Sequence, residues 1–148
     1  MAENLKLARL YLLLLAIATV GRWLLGTFEV PYEKGTATFS IVTMTFYAAI
    51  FYGAFTRRWR RFRLWRAAGL GIILGVMSQV VILAATLVSY AVGAHTYFNS
   101  PVALEVPGPD VSIGQALLSR VAGLIVNPVL TGIASAVGWA LGGLLPES

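Results

Sequence analysis

Four segments of this sequence, residues 7–25, 36–55, 67–92 and 121–145, contain no Asp or Glu and are apolar on all sides. Each is close to the ~20 residues that carry an α-helix across a hydrocarbon core about 30 Å thick. Lipid offers no hydrogen bonds to backbone N–H and C=O groups, so a spanning segment must satisfy them within itself, as a helix does. A transmembrane β-barrel would show alternation in stretches of about ten residues, and these runs show none. The expected fold is an all-α membrane protein, a four-helix transmembrane bundle forming one domain over residues 1–148.

Composition excludes the other classes. Apolar residues make up 58% of the chain and charged residues 11%, against roughly 45–50% and about 25% in soluble domains. So few charges cannot cover a water-exposed surface, and so apolar a chain does not stay disordered. The net charge of +5 comes from one place: Arg57, Arg58, Arg60, Arg61, Arg63 and Arg66 supply six of the eleven basic residues. The rest of the chain has five basic and six acidic groups, a balance of −1. A short loop pinned to the membrane at both ends is a poor platform for nucleic acid, and no nucleic-acid partner is expected. The absence of cysteine excludes disulfides, thiolate catalysis and iron–sulfur clusters.

Lys and Arg in short loops set the expected orientation. Lys6 and Arg9 precede the first span, six arginines occupy the loop 56–66, and the loops 26–35 and 93–120 carry mainly acidic groups. Both termini and the arginine loop are therefore expected in the cytoplasm, with the protein in a bacterial inner membrane. Trp59 and Trp65 flank the arginines, a combination that serves as an interfacial anchor or as a surface for anionic phospholipid. Lys6, Arg9 and Ala16-Ile17-Ala18 resemble parts of a signal peptide, but the apolar run continues to Leu25, so the segment is read as a retained helix. In the last loop, Pro101, Pro107, Gly108 and Pro109 interrupt regular structure. A short interfacial helix over 111–119, capped by Asp110 or Ser112, is expected before the fourth span.

Three spans carry small residues four apart: Ala49 and Gly53, Gly71 and Gly75, and Ala134, Gly138 and Gly142. Such spacing lets helix backbones approach closely in lipid and predicts a compact bundle or an oligomer. Polar residues also align. Thr36, Ser40, Thr43 and Tyr47 share one face, Gln79, Thr86 and Tyr90 a second, and Asn127, Thr131 and Ser135 a third, with Pro128 expected to bend its helix. These stripes either line a cavity or make interhelical hydrogen bonds, modest in measured cases at about 0.6 kcal/mol each. Arg22 and Arg120 lie near the outer ends of the first and fourth spans, beside the positive N-terminal ends of the second and fourth. They are candidates for binding an anion or a lipid phosphate. The alternative is salt bridges to Glu29, Glu33, Glu105 or Asp110.

The remaining chemistry fails by inventory. One histidine, His95, excludes bis-histidine haem ligation within one chain, and a zinc or di-iron centre needs more ligands than are available. No catalytic residue, metal or cofactor is expected. A Ser/His/Asp arrangement would have to come from His95, Asp110 and a loop serine, without a motif. Gly21-Arg22-Trp23-Leu24-Leu25 followed by Gly35-Thr36 is similar to the opening of small four-helix fluoride channels. Yet Ser40 and Ile41 stand where those channels carry an early asparagine, and residues 67–92 lack their Thr-Phe-Ser-Thr-Phe break. Six arginines in one loop also oppose their dual-orientation insertion, so that family is not assigned.

Two functions are compatible with these features. One is a non-catalytic membrane subunit or scaffold packing against membrane partners and anionic lipid. The other is a small homo-oligomeric channel or transporter for an anion or neutral solute.

Overall fold

The computed structural model describes residues 8–144. Lys6, and the outermost residues of the first and last expected spans, Leu7 and Leu145, lie outside the described residues. In chain order the elements are α1 (Arg9–Thr27), the single turn α2 (Tyr32–Gly35), α3 (Ile41–Arg60), α4 (Leu64–Ala91), the single turn α5 (Pro101–Leu104) and α6 (Ile113–Gly142). The described residues contain no strand. Three helices, α1, α4 and α6, are long and apolar enough to cross a membrane, which suggests an integral membrane protein.

The second expected span is displaced. Phe39 adopts the left-handed conformation at φ 54°, and the Ser40 hydroxyl then caps α3 by accepting from the Thr43 N–H at 3.4 Å. The helix therefore starts at Ile41, and its apolar part up to Phe55 measures about 22 Å at 1.5 Å per residue, short of the ~30 Å hydrocarbon core. It continues instead through Arg57, Arg58 and Arg60, and Arg66 already belongs to α4. What reads as an eleven-residue loop in the sequence is a turn of three residues, Arg61, Phe62 and Arg63, with Arg61 left-handed at φ 50°.

The interfacial helix expected over 111–119 does not exist as a separate element. Ser112 and Gln115 form a reciprocal capping box, and one helix runs from Ile113 through Pro128 to Gly142. Beyond the proline, the Thr131 hydroxyl donates to the carbonyls of Asn127 at 2.9 Å and Pro128 at 3.1 Å. The short turn that does precede this helix is α5, which opens on Pro101, a favoured residue at a first helical position.

Long-range contacts fix the helix directions. Gly53 meets Ser135 and Ala54 meets Gly142, so α3 and α6 run in parallel. The Ser135 hydroxyl donates to the Ala67 carbonyl at 2.7 Å, and Gly75 meets Pro128, so α4 and α6 are antiparallel. These three helices make the tight part of the bundle. A methyl group at Gly53, Gly71, Gly138 or Gly142 would run into a backbone carbonyl of a neighbouring helix, and one at Gly75 into the Thr131 hydroxyl. Helix α1 sits at the side, burying only Tyr11, Leu15 and Ala18 of its length, one stripe at helical spacing.

Replacing Gly138 by leucine should separate α3 from α6 and destabilise the bundle by at least the ~1–3 kcal/mol typical of overpacking. Gly69 has open space around it, so Gly69→Ala should be neutral or stabilising by up to about 1 kcal/mol. Thermal melting in detergent compares the two; equal melting temperatures would contradict the packing.

Candidate functional site

Two nodes tether α1 to the bundle. The Tyr11 hydroxyl lies 2.9 Å from Thr45 Oγ1 and donates to the Leu74 carbonyl at 3.2 Å, joining α1, α3 and α4. One turn before the other end of the helix, Trp23 Nε1 donates to Ser89 Oγ at 2.9 Å. Between them the chain direction carries Arg22 to the end of the bundle opposite the arginine turn, here called the distal end.

The distal end is organised by Tyr97. Its hydroxyl donates to the Val30 carbonyl at 2.7 Å, and its ring meets Tyr32 edge-on with centroids 5.1 Å apart. Gly26 and Gly35 press directly against Tyr97, leaving no room for a Cβ. Burial raises the Tyr97 phenol above its ordinary pKa despite the lowering effect of Arg22, so the hydroxyl remains a donor at neutral pH. The Arg22 guanidinium lies 5.5 Å from both the Tyr32 and Tyr97 ring centroids, within cation–π reach. It donates to the Tyr32 hydroxyl at 3.0 Å and to the Thr36 carbonyl at 3.3 Å.

Arg120 approaches from the opposite side. Because α6 begins at Ile113 and not at Val121, Arg120 lies two turns inside the helix, about 10 Å below its N-terminus. The expected help from that helix dipole is therefore lost. Its Nε donates to Thr86 Oγ1 at 3.1 Å and its Nη2 to the Phe98 carbonyl at 2.9 Å. Thr86 and Phe98 are both buried.

Arg22 and Arg120 line one cavity of about 120 Å³, together with Tyr32, Ser40, Tyr97 and the start of α3. Among the described residues no carboxylate lines it. Among the described residues neither guanidinium forms an ion pair, so salt bridging to Glu29, Glu33, Glu105 or Asp110 does not account for them. A guanidinium carries five N–H groups; two of each are used, and three of each remain. Two positive forks over one small cavity are suited to the oxygens of an anionic group.

The polar stripes separate into two kinds. Thr86, Thr131 and Ser135 are buried between helices, with hydroxyls committed to backbone carbonyls. Gln79 is buried with its Oε1 facing Gly123, and half-buried Asn127 lies near the same glycine. Among the described residues every buried side-chain nitrogen and oxygen has a partner. Ser40, Thr43 and Tyr47 face elsewhere, into a groove between α1 and α3. At the turn, Arg57 stacks 3.8 Å over Trp139 and Arg66 lies 4.2 Å over Phe62, while Trp139 Nε1 donates to the Phe62 carbonyl at 2.7 Å. Arg60, Arg61 and Arg63 are exposed, as are Trp59 and Trp65.

His95 and Asp110 both line a distal cavity of about 530 Å³ with Ser89 and Ser100. No hydrogen bond links the histidine to the aspartate among the described residues, and Ser89 is engaged by Trp23, Thr96 and Ala85. The groups share a cavity without forming a relay.

Compared with known protein families, curated proteins and solved structures, the chain matches none. Tyr32, Tyr97 and Phe98, which in the sequence mark the outer interface, complete the site around the arginines; Tyr11, which marks the inner one, is buried at the α1 tether with Thr45, a residue the sequence does not single out. Aromatic residues near a span end read only as interfacial anchors, and nothing in their spacing marks them as a cage.

Tyr97→Phe removes the bond to Val30 and should loosen α2 by about 1 kcal/mol. The Lys34 and Gly35 amides, bonded to the Pro31 carbonyl, should then exchange hydrogen about fivefold faster. Unchanged exchange would show that the phenol does not hold this segment.

Proposed function

We propose that this chain is a non-catalytic, four-span membrane protein whose outer-side cavity binds an anionic group between Arg22 and Arg120. In this reading α3 crosses as one arm of the hairpin with α4, completing its short apolar length with arginines in the headgroup layer. The arginine turn and both termini face the cytoplasm, with a bacterial inner membrane as the site of residence. Arg57, Arg58, Arg60, Arg61, Arg63 and Arg66 meet anionic phospholipid there, at about 1 kcal/mol per basic residue. The protein acts as a subunit or scaffold, packing with copies of itself or with another membrane protein.

One observation carries the anion site: guanidinium groups from the first and last long helices converge on one small cavity without a carboxylate. Like charges brought together at a partly buried site repel each other unless an anion offsets them. The competing reading, a channel or transporter, needs polar faces around a water-filled path. The hydroxyls of Thr86, Thr131 and Ser135 are instead held by backbone carbonyls, which favours the scaffold.

Arg22→Gln and Arg120→Gln should each weaken binding of inorganic phosphate, used as the probe anion, by about tenfold or more. Unaltered binding in both variants would remove the site. Reconstituted liposomes should show no protein-dependent anion flux; saturable flux lost in both variants would establish the transport reading instead.

A further inference from the structure

A third cavity, about 700 Å³, runs along the side of the bundle between α1 and α3. Its walls are apolar: Leu10, Leu14 and Ile17 on α1 face Met44, Tyr47 and Phe51 on α3. Helix α1 is held only along its narrow buried stripe, and beside Tyr11 and Ala18 it leaves this space against α3. Several of these side chains are widely exposed, with Ile17 at 51%, Phe51 at 58% and Tyr47 at 69%. Ser40 lines both this groove and the two-arginine cavity. Arg22 lies one helical turn beyond Ala18, itself a groove residue. The groove therefore ends beside the two-arginine cavity.

From this juxtaposition we infer that the ligand of the arginine site is an anionic membrane lipid, its phosphate between Arg22 and Arg120 and one acyl chain lying in the α1–α3 groove. The inference rests on the anion-site reading above and adds the source of the anion. A free phosphate would use the cavity and leave the groove without a role. A lipid uses both, because it joins a negative head to an apolar tail in the same order in which the protein joins two arginines to Ile17, Tyr47 and Phe51. Ser40 and Thr43 provide hydroxyls between these two regions, where the ester linkage of such a lipid falls. The groove opens sideways, so the lipid enters from the bilayer without passing through water.

The test uses the full chain in detergent, with phosphatidylglycerol, phosphatidylcholine and inorganic phosphate as probes. Native mass spectrometry should show phosphatidylglycerol retained one per chain and phosphatidylcholine lost at the same collision energy. Ala48→Trp and Ile17→Trp fill the groove from opposite walls without touching either arginine. Each should reduce phosphatidylglycerol retention about tenfold while leaving phosphate binding unchanged. If a folded groove variant keeps full lipid retention, the acyl-chain assignment is wrong and the arginine site stands. If Arg22→Gln and Arg120→Gln leave both lipid and phosphate binding intact, the underlying reading fails as well. Should both tryptophan variants fail to fold, phosphatidylglycerol with a photoreactive acyl chain decides the matter on the unaltered protein. Cross-links should concentrate on Leu14, Ile17, Met44 and Tyr47. Even labelling of these and of the α6 residues Ile125, Val129 and Ile133 would overturn the inference, as would a stable dimer that excludes lipid from the groove.

Discussion

The architecture depends on how closely α6 approaches its neighbours. Between helices in lipid there is no hydrophobic drive, so association rests on van der Waals contact and hydrogen bonds, both of which need short distances. Gly53 on α3 with Gly138 and Gly142 on α6 provide those distances at the α3–α6 contact, and Gly71 and Gly75 on α4 provide them at the α4–α6 contact. Ser135 adds a bond that crosses from α6 to α4 at Ala67. With α6 positioned this tightly, the rotation of its whole length is set, including the direction in which Arg120 projects.

The distal end follows from that constraint. Arg120 arrives beside Thr86 and Phe98, and their oxygens hold its guanidinium in place. Arg22 is placed independently, by the register that Tyr11 and Trp23 impose on α1 and by the tyrosine pair above it. Two separate packing decisions thus deliver two like charges to one cavity. The cost of that proximity lies in electrostatics, while its cause lies in glycine spacing many residues away.

Much of this is legible in the sequence. The small-residue spacing at 49/53, 71/75 and 134/138/142 gives the crossing points, since each needs only a count of four residues along a helix. The three long apolar helices follow from hydropathy. Helix ends are less legible. Hydropathy does not register the left-handed turn at Phe39, which shortens α3, nor the capping box at Ser112, which lengthens α6 by two turns over the expected start. Arg120 consequently reads as a helix-end residue in the sequence and is an interior one in the structure. The division of the polar stripes is also hidden, because Ser40, Thr43 and Tyr47 repeat at helical spacing just as the buried residues do. Which side a helix turns inward depends on its neighbours: on α3 the buried hydroxyls are those of Thr45, Tyr52 and Thr56, which are out of phase with that stripe.

The lateral position of α1 has a consequence for biogenesis. It leaves the ribosome before the residues that hold it, because Thr45, Leu74 and Ser89 are synthesised later, on α3 and α4. The three glycine-packed helices close only when α6 has been made, since α6 touches both of its partners far more extensively than they touch each other. Helix α1 must therefore wait without these partners while the remainder is translated. It then docks onto a bundle whose shape it did little to determine.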